Sequence, residues 1–145
     1  MPTRNASAKW EGGGLKTGRG TFTGQTGLTG QYNFSSRFEN GPGSNPEELL
    51  AVAEAACYAM ALSLGLEKNG TPPKSIETKA ACTIEKVGDG FTITKMQLDV
   101  RATVPNVDNA TFQKIATATK EGCPVSRALK GNVDIQLSAA LDATS

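Results

Sequence analysis

The sequence predicts an α+β fold, with strands and helices grouped along the chain instead of alternating one by one. Three observations carry this. Residues 1–38 hold short alternating segments separated by glycines, residues 46–68 form one long apolar helical stretch, and two long alternating segments flank Gly88-Asp89-Gly90. The expected order is three strands, a long helix, two strands, a helix pair and a last strand, in antiparallel sheet. At 145 residues the chain reads as a single domain, 1–145.

The elements follow in order. Ala8–Glu11 alternates, Gly12-Gly13-Gly14 turns, Leu15–Thr23 alternates loosely, and Gly27–Gly30 leads into Gln31–Phe34, so three strands in a meander are expected. Arg37–Gly43 reads as a polar connection. The helix start is then unusually complete: Asn45 can cap, Pro46 fits a first turn that needs no amide partner, and Glu48 at the third position suits a capping box. From Leu49 to Leu66 the run is mainly alanine, leucine, valine and methionine, with Glu54 and Ser63 as its main polar interruptions, and Asn69-Gly70 ends it. A helix apolar on nearly every side is not a surface helix.

Ile76–Val87 and Phe91–Val104 form the expected hairpin. A second helix begins near Asp108 and stops at Gly122; a short third helix spans Val125–Lys130, with Pro124 in its first turn and Cys123 at its cap. Val133–Leu137 closes as a strand, and Ser138–Ser145 is expected to be loosely ordered. The long helix carries more apolar surface than one small sheet covers. A second copy of the chain is therefore expected as a partner.

Composition narrows the chemistry. The 15 basic and 14 acidic residues leave a net charge of +1, and no run of like charge points to nucleic acid or a membrane surface. Met1–Ser7 lacks the apolar centre of a signal peptide, so a soluble, cytoplasmic protein is expected. The chain has no histidine. Catalysis by a histidine-activated serine or cysteine, and zinc sites built on imidazole, are thereby excluded. Three scattered cysteines form neither a metal knuckle nor a disulfide scaffold, which leaves a cytosolic thiol redox role.

The three cysteines differ in setting. Cys57, in the middle of the long helix, reads as a small hydrophobe unless a cation reaches it from elsewhere in the fold. Cys123 precedes Pro124 at a helix start, a setting that can favour a thiolate. Cys82 reads as a packed strand residue. Glu54 lies one turn before Cys57, where a buried carboxylate would oppose thiolate formation; it is expected to face solvent or pair with a cation.

The segments Arg37-Phe38-Glu39, Gly43–Leu49, Ala55–Ser63 and Gly122–Ser126, with Trp10-Glu11-Gly12 and Gly90–Lys95, resemble the OsmC (osmotically inducible protein C) family of peroxidases. The related organic hydroperoxide resistance (Ohr) proteins share the cysteines and Asn-Pro-Glu. The resemblance implies an OsmC-like fold, antiparallel sheets wrapped around a long central helix, and an intertwined homodimer. It also implies a peroxidase for organic hydroperoxides, acting in oxidative or osmotic stress defence without metal or bound cofactor and recharged by an external dithiol reductant. Cys57 would attack the hydroperoxide and Cys123 would resolve the sulfenic acid as a disulfide. Arg37, oriented by Glu47, would hold the Cys57 sulfur as the anion; Arg19 in the meander is the second candidate for that cation.

Glu47 precedes Cys57 by ten positions, roughly 15 Å along a helix and about 80° around it. That spacing suggests that the Glu47 serving a given Cys57 belongs to the partner chain. Leu50, Met60, Phe34, Phe38 and Tyr58 are expected to line the thiolate and favour bulky hydroperoxides over hydrogen peroxide. The competing reading is a non-enzymatic dimer that binds a small apolar ligand and keeps its cysteines for packing.

Overall fold

The computed structural model describes residues 1–142, which gather into two compact units, Met1–Leu49 and a second that begins at Leu50. In the first unit, β1 (Ala6–Glu11), β2 (Arg19–Gly24) and β3 (Thr29–Tyr32) form the expected antiparallel meander in sequence order. Gly20 pairs with Trp10 on one side and Tyr32 on the other. A side chain there would come within 2.6 Å of the Tyr32 ring and 2.9 Å of Trp10, so glycine is what lets the two rings approach to 5.7 Å.

The segment expected to be only a connection contains a helical turn, α1 (Phe34–Phe38). Asn33 caps it: its side-chain oxygen accepts from the Ser36 amide at 2.8 Å, and its own amide donates to the Ser36 hydroxyl at 2.9 Å. Serine here does the work that Glu or Gln usually does in a capping box. The long helix α2 spans Pro46–Lys68, as expected. Its cap is half of the expected box, since Asn45 accepts from the Glu48 amide at 2.8 Å while the Glu48 carboxylate takes a hydrogen bond from Ser44 at 3.2 Å.

In the second unit, α2 buries a stripe at four-residue spacing: Glu54, Tyr58, Leu62 and Leu66. Such spacing keeps all four on one face. The three apolar members join Leu98, Val100 and Ala102 of β5, Phe112 and Ala116 of α3, and Cys123 in one core. The Tyr58 hydroxyl crosses that core and donates to the Ala116 carbonyl at 2.9 Å. Elsewhere on α2, Val52, Met60 and Leu64 are exposed, Met60 to 79%. Within one chain the helix is therefore buried along a stripe, and much of its remaining apolar surface is uncovered.

The hairpin β4 (Ser75–Val87) and β5 (Gly90–Thr103) is antiparallel, with a register shift between Thr83 and Ile84. Alternation along β5 sends Met96, Leu98, Val100 and Ala102 inward. Helices α3 (Asn109–Gly122) and α4 (Pro124–Leu129) then carry the chain back to the starting end of β5. Consequently β6 (Asp134–Asp142) runs parallel to β5, from Lys95 opposite Asp134 to Thr103 opposite Asp142. This corrects the expectation of purely antiparallel sheet, because a crossover through helices returns a strand in the same direction. The fold class remains α+β, with two three-stranded sheets and one long helix. β6 also corrects the expected loose tail over Ser138–Asp142; residues 143–145 lie outside the described residues.

Phe112 is fully buried in this core. Phe112→Ala is expected to lower the free energy of unfolding in urea by about 3–5 kcal/mol. Tyr58→Phe, which removes one hydrogen bond and little volume, should lower it by about 1 kcal/mol. Equal losses from the two substitutions would contradict this placement of the core.

Candidate functional site

In the first unit, α1 and the first turn of α2 bring Arg37 and Glu47 together. The Arg37 Nε donates to the two Glu47 carboxylate oxygens at 3.1 and 3.3 Å, and Nη2 donates to Oε1 at 2.9 Å. Glu47 is buried to 5% exposure, whereas about a third of the Arg37 side chain (34%) meets solvent. The carboxylate also sits in the first turn of a 23-residue helix, where negative charge is favoured. Two parallel donors on one guanidinium edge fix its orientation as well as its charge.

The Phe38 ring lies 5.1 Å from the Arg37 Cζ, and Phe34 packs on Phe38 with centroids 5.1 Å apart. Among the described residues the Arg37 Nη1 donates to no protein partner. Arg37 and Phe38 line a concave pocket of about 430 Å³ with Trp10, Leu15, Tyr32 and Phe34. Arg19, the alternative cation, stands exposed at the start of β2 and forms no ion pair among the described residues. Of the two candidate cations, Arg37 is the one held in an ion pair among the described residues.

In the second unit, Cys57 and Cys123 are both free thiols. Cys57 is half-buried and lines a pocket of about 520 Å³ with Met60, Leu64, Glu67 and Pro124. Pro124 follows Cys123 directly, so the chain around the second thiol reaches the pocket of the first. Tyr58, expected beside the thiolate, is instead a core residue with no exposure. Its hydroxyl is driven far above the usual range by burial, with a contribution from Cys123. Cys82 is half-buried in β4 opposite Met96, as a packed strand residue would be. Among the described residues no group of three or more carboxylates and thiols is arranged to hold a metal ion.

Cys123 caps α4 as expected, yet its setting does not lower its pKa. The thiol is pushed up to about 11: burial contributes most, Glu54 adds to it, and hydrogen bonds from Ser126 offset part of it. A helix of only six residues offers too little dipole to reverse this. Glu54 corrects a second expectation, since it does not face solvent and, among the described residues, forms no ion pair with a cation. It is fully buried, its Oε1 lies 2.6 Å from the Ser126 hydroxyl and 3.3 Å from the Cys123 Sγ, and that Sγ lies 3.0 Å from the Ser126 Oγ. Ser126 was not among the sequence candidates. The signals for this cluster were the four-residue stripe through Glu54 and the three-residue spacing from Cys123 to Ser126.

Together these features define a histidine-free α+β protein with two half-buried thiols, one buried thiol and a fixed arginine–glutamate pair. The chain matches the family described as OsmC-like protein over residues 39–138. It is 44% identical over 140 residues to peroxiredoxin OsmC of Escherichia coli, covering 94% of this chain and 97% of that protein. It is 31% identical over 101 residues to the organic hydroperoxide resistance protein of Xanthomonas axonopodis pv. citri, covering 69% of each. The fold resembles the crystal structure of an organic hydroperoxide resistance protein from Elizabethkingia anophelis, with a TM-score of 0.76 at 23% identity over 98% of both chains. The chain belongs to the OsmC family.

The buried Cys123 thiol gives a pH dependence of definite sign. A thiol raised from 9.0 to about 11 keeps its proton in the fold while the unfolded chain releases it. Its stabilisation is full below pH 9, and is lost as pH rises toward 11. Urea unfolding across this range should show stability falling in the wild type and falling less steeply in Cys123→Ala; equal slopes would contradict the buried neutral thiol.

Proposed function

We propose that the chain is a thiol-dependent peroxidase for organic hydroperoxides, with Cys57 as nucleophile and Cys123 as resolving thiol. The observation that carries this is the placement of the half-buried Cys57 in a pocket edged by Pro124, the residue that follows the buried Cys123 in the chain. The names of the relatives, a peroxiredoxin and organic hydroperoxide resistance proteins, support the same reading. In the first step the Cys57 sulfur attacks the distal oxygen of the hydroperoxide, the O–O bond breaks, and the alkoxide leaves as an alcohol after taking a proton. Cys57 is then a sulfenic acid. Attack by Cys123 on that sulfur forms the disulfide and releases water, and an external dithiol restores both thiols by exchange.

Arg37 is the proposed cation for the Cys57 anion and for the charge that develops as the O–O bond breaks. Its fixed fork to Glu47 supports this role, since a guanidinium already oriented costs no reorganisation during the reaction. A homodimer is part of the proposal. The exposed Val52, Met60 and Leu64 give α2 an apolar face for a second copy to cover, and the Arg37–Glu47 pair of that copy would serve Cys57. A cytoplasmic location, where thiols stay reduced, suits the same chemistry.

The aromatic lining around Arg37 and the apolar edge around Cys57 support a preference for bulky hydroperoxides. Turnover with a dithiol reductant should be faster with cumene hydroperoxide than with hydrogen peroxide. Cys57→Ser should abolish it, and Arg37→Ala should lower kcat/KM by about 10²–10³-fold. Full activity in Cys57→Ser would point to ligand binding with structural cysteines, and equal or better use of hydrogen peroxide would overturn the substrate assignment.

A further inference from the structure

We propose that Glu54 is the proton acceptor for the Cys123 thiol, taking its proton through the Ser126 hydroxyl as Cys123 closes the disulfide. This rests on the peroxidase reading only for the identity of the electrophile that Cys123 attacks. The geometry is a continuous route: Cys123 Sγ to Ser126 Oγ is 3.0 Å, and Ser126 Oγ to Glu54 Oε1 is 2.6 Å. The thiol has one hydrogen and the hydroxyl one. Both contacts are satisfied when the thiol donates to Ser126 and Ser126 donates to Glu54, so a shift of each hydrogen along its own bond moves the proton to the carboxyl group.

A second observation marks Glu54 as more than packing. Its other oxygen, Oε2, is buried and has no hydrogen-bond partner among the described residues, and the side chain has no exposure at all. No lysine or arginine forms an ion pair with it among the described residues. A carboxyl group without a cation in a core is costly, and an apolar residue of its size would pack there at less cost. With no histidine anywhere in the chain, it is also the base that lies within reach of this thiol.

Charge counting explains the route. If the thiol lost its proton to solvent while Glu54 was ionised, two negative charges would stand 3.3 Å apart inside the core. Keeping the proton on Glu54 leaves one. Burial does most to hold the Cys123 thiol up at about 11; the Glu54 carboxyl group, which adds to it, lies where it gives that proton an internal destination. In the closing step the Cys123 sulfur attacks the Cys57 sulfur, the S–S bond forms and the S–O bond breaks. The departing hydroxide leaves as water after taking up one proton, which balances the proton that Glu54 received and passes on.

The test has outcomes of opposite sign. Reduced protein is mixed with one equivalent of cumene hydroperoxide, and disulfide closure is followed against trapping of the sulfenic acid by dimedone. If Glu54 only fills space, Glu54→Gln removes a negative charge beside the thiol, eases its ionisation and speeds closure. If Glu54 is the acceptor, Glu54→Gln slows closure by about 10²-fold and dimedone adduct accumulates. Ser126→Ala, which leaves the direct 3.3 Å contact, slows closure by a smaller factor. Closure in Glu54→Gln at the wild-type rate or faster overturns the proposal; if that variant does not fold, unchanged closure in Ser126→Ala overturns it. Should the wild type form no disulfide at all, the peroxidase reading is what fails. The acceptor is then tested in Cys57→Ser by reaction of Cys123 with methyl methanethiosulfonate, where slowing by Glu54→Gln supports the proposal and acceleration overturns it.

Discussion

The constraint on which this structure depends is the four-residue stripe that α2 buries, Glu54-Tyr58-Leu62-Leu66. Three of its members build the core of the second unit against β5 and α3. The fourth puts a carboxyl group into the same interior. Cys57 precedes Tyr58 by one residue and so falls about 100° around the helix, off the stripe and half-exposed. One helix therefore supplies the packing surface, the accessible thiol and the acid that meets the buried thiol.

The two thiols sit in opposite settings for physical reasons that can be stated residue by residue. Cys123 lies at the junction of α3 and α4 under the core, where loss of hydration favours the neutral form. Cys57 opens onto a pocket beside Pro124. A thiol kept neutral is protected from direct oxidation, because the anion is the species that reacts. That division suits a reaction in which one sulfur meets the oxidant and the other meets only the product of that encounter.

Much of this was legible in the sequence. The capping residues Asn45 and Pro46 and the Asn69-Gly70 stop bounded α2, and alternation about Gly88-Asp89-Gly90 placed the long hairpin, because both signals are local. The parallel pairing of β6 was not legible, since strand direction depends on where α3 and α4 deliver the chain, which no local pattern encodes. Turn α1 escaped because its box uses Ser36 in place of a longer acid or amide. Arg37 and Glu47 were both named as site residues, and the structure pairs them through three hydrogen bonds. The inward placement of Glu54 ran against the rule that carboxylates seek water. The rule yields here because two donors, a hydroxyl and a thiol, wait for Glu54 inside.

The account stands on one sulfur being oxidised and the other capturing it. Peptide mapping by mass spectrometry, after one equivalent of an organic hydroperoxide and alkylation of the remaining thiols, tests this most directly. The account predicts a Cys57 peptide joined to the Cys123 peptide of the same chain, two hydrogens lighter than the sum of the reduced pair, with Cys82 alkylated. A Cys57 carried on to sulfinic acid while Cys123 stays alkylatable, or a disulfide that joins Cys82 instead, would contradict it.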